Sequence, residues 1–174
     1  MFPTTHRRRP AGDEGAAAVE FALLLPLFIL LVFGMISSGF AFERWINATQ
    51  AAHEGSRYGA TLSLLASAPG GGNPDTWVAK VAAATKESAG FDPAPPGQYV
   101  CVSLTQVTSA GVATSRKAVD TSSGLVISDG TCYASVVSGD RVQTVVKRDT
   151  TFDLVFSSGT ITVGGESQTR WEAK

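Results

Sequence analysis

Glu20 is a carboxylate inside a segment built for lipid. It stands near the start of residues 15–35, GAAAVEFALLLPLFILLVFGM, where every other side chain is apolar or small. On insertion scales a charge at the centre of a membrane helix costs about 2.5–3.5 kcal/mol, so such groups persist where they have a partner or a task. Elsewhere the reactive residues are sparse. Cys101 and Cys132 allow a single pairing; outside the cytoplasm a disulfide is the default, and two buried thiols that never meet are the alternative. His6 lies in a basic N-terminal stretch, which leaves His53 as the one histidine of the remaining chain. That argues against a zinc centre and against most histidine-based triads. The run HEGSR from His53 lacks the second histidine of H-E-x-x-H, and His53 is expected to face solvent. Residues 70–72 are three glycines with no following Gly-Lys-Ser or Gly-Lys-Thr, so they read as a linker and not a phosphate cradle. Asp129, Asp140, Asp149 and Asp153 fall near expected turns and strand ends, where solvation accounts for them. No stripe of alternating aromatic and basic residues suggests nucleic acid. The chain therefore reads as a non-enzyme without cofactor, metal or small-molecule substrate.

The elements that must position Glu20 begin with the span itself. Residues 21–42 contain no charge. As a helix they reach roughly 33 Å, enough to cross a bilayer core of about 30 Å. A buried core helix is the alternative, but a domain of this size has little interior to hide it. Arg7, Arg8 and Arg9 precede the span, whereas Arg44 after it is offset by Glu43. The positive-inside rule then puts the N-terminus in the cytoplasm and the rest of the chain outside. A cleaved secretory signal is the competing interpretation. Its apolar region is only about 7–15 residues and ends at a small-residue cleavage site. The segment here is longer and runs on into FERWINATQ.

Three regions result: a basic tail at 1–14, expected to be disordered; a transmembrane helix at 15–42; and an extracytoplasmic domain at 43–174. Pro26 lies within the span and removes one helical donor, so a kink or local unwinding is expected there. Beyond the span the helix should continue to APGGGNPD, because Ala48, Ala52, Gly55, Gly59 and Leu62 recur at spacings of three and four. Most of that face is small, and Gly55 and Gly59 have the small-xxx-small spacing that lets backbones approach. Such a stripe either seats the helix on its own sheet or meets another subunit. Asn73 and Pro74 are a good N-cap and N1 pair for a second helix through about Ser88, stopping at Gly90, with Trp77, Val78, Val81 and Ala82 on its apolar side. FDPAPPGQ is then a stiff loop. QYVCVSLTQV alternates, with Val100, Val102 and Leu104 on one face and Tyr99, Cys101 and Ser103 on the other. Residues 108–131 hold at most a weak strand at GLVIS, CYASVV and RVQTVVKR form a hairpin around SGD, and GTITVGGESQTRWE breaks at Gly164 and Gly165. The expected fold is α+β and pilin-like: a long N-terminal helix, a short helix and a small antiparallel sheet of about four strands.

The N-terminal residues also resemble a known family. GAAAVEFALLLPLFILLVFGM is similar to the opening of TadE-like proteins, minor pseudopilins of tight-adherence (Flp, type IVb) pilus systems. NATQAAHEGSRYGAT resembles their post-membrane helix, and TRWE resembles their aromatic–acidic ending. The resemblance implies a prepilin-peptidase motif of a glycine, four residues, then a glutamate and an aromatic, matched by Gly15, Glu20 and Phe21. Cleavage would follow Gly15, making residues 1–14 part of a leader and Ala16 the new N-terminus. The new ammonium could neutralise Glu20 of the same or a neighbouring subunit, giving that carboxylate a role in processing and subunit registry. The alternative for Glu20 is an interfacial carboxylate that ends the tail and favours the helix N-terminus. The implied partners are the membrane, a prepilin peptidase, other pilins and the pilus assembly platform. The implied function is a membrane-anchored minor pilin or assembly component acting by helix packing. Its rival is a membrane-tethered protein-binding module that never enters a filament.

Overall fold

A computed structural model of the chain describes residues 13–64, 72–90, 97–134, 139–154 and 157–171. The basic tail through residue 12, most of APGGG, most of FDPAPPGQ and the SVV of CYASVV lie outside the described residues.

Helix α1 (Asp13–Thr61) is a single α-helix of 49 residues, about 70 Å long. It carries Pro26 without interruption, since the proline removes one donor while long helical runs continue on both sides. It ends well before APGGGNPD, and the reason lies in its C-terminus. The Leu62 amide returns to the carbonyls of Tyr58 and Gly59, and the Leu62 carbonyl accepts two indole N–H groups, from Trp77 and Trp171, both at 3.2 Å. Orphan carbonyls at a helix end need such partners. Trp171 of TRWE is thus a buried cap on the long helix.

Helix α2 (Pro74–Ser88) follows the sequence closely. Asn73 Oδ1 accepts the Asp75 amide at 2.9 Å, Pro74 opens the first turn, and Gly90 leaves the helix at φ +67. Its buried face is Trp77, Val78, Val81, Ala82 and Thr85.

The sheet has five antiparallel strands, not four: β1 (Tyr99–Val107), β2 (Ala113–Thr121), β3 (Gly124–Asp129), β4 (Arg141–Leu154) and β5 (Ser157–Arg170), in the order β3-β2-β1-β4-β5. GLVIS is in β3. The strand missed by periodicity is β2, ATSRKAVDT, whose side chains are mostly half-exposed. It is held by pairing with β1 along its whole length, from Tyr99 opposite Thr121 to Val107 opposite Ala113. Both helices cover one face of the sheet, where Val100, Val102 and Leu104 meet Val142 and Val146 beneath Trp77, Val78 and Ala52.

The CYASVV strand is not formed in its described part: residues 131–134 are irregular and cross the opposite face of the sheet. Cys132 is joined to Cys101 of β1, its amide donates to Ser103 Oγ at 3.3 Å, and Gln143 Nε2 donates to the Tyr133 carbonyl at 3.2 Å. Ser103 in turn donates to Gln143 Oε1, so two fully buried polar side chains satisfy each other under this strap. Burial pushes the Tyr133 hydroxyl up from its ordinary range, and Glu166 adds to the shift.

The expected break at Gly164 and Gly165 is also absent, since β5 runs through both. A Cβ on Gly165 would overlap the Thr49 and Ala48 backbone of α1. Glycine here marks close backbone approach. Because backbone cannot swing aside as a side chain does, Gly165→Val is expected to destabilise the domain by about 3 kcal/mol, the upper end of ordinary overpacking. Denaturant unfolding of the purified protein measures it. Gly111→Ala is the comparison: its turn has open space around it, and only the positive φ should cost about 1 kcal/mol.

Candidate functional site

Helix α1 has two halves with different surroundings. From Gly15 to Asn47 no side chain is buried, and large apolar groups stand in the open: Phe21 is 66% exposed and Leu23 75%. Among the described residues this is the one helix long and apolar enough to cross a membrane, and it supplies single-pass anchoring. Exposed apolar surface of this extent calls for lipid or protein around it. Gly15, Ala16, Glu20, Phe21 and Pro26 all lie on this half. Glu20 is exposed and has no ion-pair partner among the described residues. Ala16 precedes it by four residues on the same helix, one turn away, which is the spacing at which side chains meet. A charge freed at Ala16 would therefore sit beside the Glu20 carboxylate and at the positive end of the helix dipole.

The second half is occupied by the protein's own domain. Ala48, Ala51 and Ala52 are buried, and so are Gly55, Ser56 and Gly59. A Cβ on Gly55 would strike Thr85 of α2 and Thr144 of β4, and one on Gly59 would lie 2.9 Å from the Trp77 ring and 3.0 Å from Val142. Of the two interpretations of the small-residue stripe, this geometry matches seating on the chain's own sheet and second helix.

Strand β5 tracks α1 in the same direction. Ile161 lies by residues 34–41, Gly165 by Thr49, Ser167 by His53 and Ser56, and Trp171 caps Leu62. His53 is exposed as expected, yet its Nδ1 is 3.0 Å from Ser167 Oγ. Ser167 meets Ser56 at 2.7 Å, and Thr169 donates to Ser56 at 3.0 Å. Chemically this is a buried hydroxyl chain that fixes β5 on the helix. Among the described residues, no group of three or more histidine, cysteine, aspartate or glutamate side chains comes together to hold a metal.

The aspartates are partnered and not merely solvated. Arg116 Nε and Nη2 grip Asp75 at 2.6 and 2.7 Å, and Nη1 reaches Asp129 at 2.6 Å. The Arg116 hydrogen bonds hold the Asp75 carboxyl below its usual range, and Asp75 and Asp129 together push the guanidinium up. Asp140 Oδ1 accepts the Val107 amide, and Asp149 Oδ1 accepts the Thr162 hydroxyl. The side chain of Asp153 lies outside the described residues.

Residues 15–57 match the family model described as TadE-like protein, in agreement with the sequence resemblance. Comparison with curated proteins and with solved structures finds no match. The match covers the exposed half of α1 and most of its buried half, through Arg57.

Proposed function

We propose that the chain is a membrane-anchored minor pilin or pilus assembly component of a tight-adherence system, acting by helix packing without catalysis. One observation carries this: the segment that matches the TadE-like model is a continuous helix whose first half is apolar and uncovered while its second half is locked to a folded domain. Such a helix transmits the position of the domain rigidly to whatever packs on the apolar half. In this scheme the N-terminus is cytoplasmic, residues 15–42 cross the membrane, and the domain from residue 43 onward lies outside, where the Cys101–Cys132 bridge is stable. A prepilin peptidase cuts after Gly15, and other pilins and the assembly platform are the partners of the exposed face.

The test of processing is direct. Co-expressed with its cognate prepilin peptidase, the chain is expected to lose residues 1–15 and begin at Ala16 by N-terminal sequencing. An intact mass beside active peptidase would overturn the processing step and leave a tethered binding module in its place.

A further inference from the structure

We propose that the outer part of the β4–β5 pair is a hinged flap on α1. It stands away from the helix while that stretch of α1 is in lipid, and it closes onto the helix when the stretch leaves the bilayer. The inference rests on the reading that α1 spans the membrane.

Pairing places the hinge. β1 pairs with β4 from Arg141 to Lys147 and no further, whereas β5 stays paired with β4 out to Leu154 opposite Ser157. Gly164 of β5 stands opposite Lys147, at the level where β1 ends. On one side of this level β5 is fixed to the helix: Gly165 lies against the Ala48 and Thr49 backbone, and Ser167 and Thr169 are tied to Ser56. On the other side, Ser157–Val163 and Arg148–Leu154 form a ribbon of two strands. Glycine at such a junction lets the chain bend where a side chain would resist. The Gly164–Gly165 pair thus serves a hinge as well as a close approach.

The closed seat is light. Phe152 and Ile161 line an open cleft of about 300 Å³ with Gly34, Ser37, Ser38 and Ala41. Ile161 is still 42% exposed there. Leu30, Gly34, Ser37 and Ala41 are half-buried, while Leu27, Leu31 and Phe33 beside them are exposed. The half-buried four recur at helical spacing on the face that continues to the buried Ala48. So little packing holds the flap that it is free to part.

That seat and the bilayer exclude each other. Because β5 runs alongside α1, Ser157 lies roughly 13 Å beyond Ile161 toward the helix N-terminus, near the level of Leu30. A bilayer core of about 30 Å takes about 20 helical residues, so even a core that starts at Ala16 reaches Ile36. Leu30 is then about 9 Å inside hydrocarbon, and any placement further out along the helix buries it deeper. Open strand edges are not tolerated at such depth. Among the described residues, Arg148–Leu154 and Ser157–Val163 each have a strand on one side only. β4 also carries Asp149 and Asp153. With the span in lipid, the ribbon therefore swings out at Gly164 to the aqueous side.

The experiment uses the full chain in cells that are making pili. It carries Ser38→Cys with Ile161→Cys, and a short bismaleimide is applied to sheared pili and to membranes from the same cells. A second chain carries Thr151→Cys with Thr160→Cys, which are opposite each other in the ribbon and both exposed, as the control for reagent access. Working without reductant keeps Cys101 and Cys132 paired. Crosslinking between 38 and 161 is expected to be about tenfold stronger in pili than in membranes, with the control pair equal in both. Equal crosslinking between 38 and 161 in the two fractions would overturn the flap, and so would its absence from both. If the chain never reaches pili, the pilin role fails separately. The membrane fraction then decides: crosslinking there as strong as the control overturns the flap, and its absence supports the open state. A chain that carbonate washes from the membrane fails as a span and takes the flap with it.

Discussion

Glu20→Ala is expected to leave membrane insertion and the folded domain unchanged while lowering incorporation into pili about 100-fold. The domain is indifferent to this residue because Glu20 lies on the uncovered half of α1, far from the buried stripe that begins at Ala48. Assembly is not indifferent. On the proposed processing the chain would begin at Ala16, and its ammonium would enter the membrane with the Glu20 carboxylate one helical turn away. Removing one partner of a desolvated pair costs about 3–5 kcal/mol, and part of that is recovered when the remaining group sheds its charge. A residual of about 2.7 kcal/mol corresponds to roughly 100-fold in an association constant. Quantifying the protein in sheared pili against the membrane pool measures this, and Glu20→Gln separates charge from shape. Equal incorporation of wild type and Glu20→Ala would remove the carboxylate from the assembly step.

The largest expected effect on stability comes from the strap. Replacing Cys101 and Cys132 together by serine should lower the unfolding free energy by roughly 3–4 kcal/mol, the chain-entropy value for a sequence separation of 31 residues. The loss should also expose the back of the sheet. Without the bridge, the Cys132 amide and Tyr133 carbonyl contacts to Ser103 and Gln143 are what hold the crossing segment among the described residues. Denaturant unfolding of oxidised and serine-substituted protein measures the difference. Thiol labelling of unfolded, unreduced wild type checks the premise, because two reactive thiols would show that the pair is open.

The parts of this fold that could be read from the chain are those encoded by local rules. Asn73 and Pro74 announce α2 because a cap and a preset φ act over a few residues. The stripe from Ala48 to Gly59 announces a buried face because helical periodicity is local as well. β2 escaped because its place depends on a partner distant in space and its own alternation is weak. The Cys132 segment looked like a strand for the opposite reason: its residue types favour one, but the disulfide and the demands of Ser103 and Gln143 draw it across the sheet. Gly164 and Gly165 were legible as special and misjudged as a break, since a glycine that admits another backbone looks in sequence like one that ends a strand. Of the candidate site, the exposed apolar half and the Glu20 carboxylate near its start were plain. The length of β4 and β5 was not, because it is set by their pairing register, from Arg141 opposite Arg170 to Leu154 opposite Ser157.

In the proposed role, the uncovered half of α1 packs against other proteins of the pilus machinery. The direct measurement is crosslinking from cysteines placed at Leu24 and Leu31, both largely exposed, in cells that are making pili. The expected result is adducts with other pilins or platform proteins in wild type, strongly reduced in Glu20→Ala. A monomer-only pattern, the same in both, would contradict the assembly role.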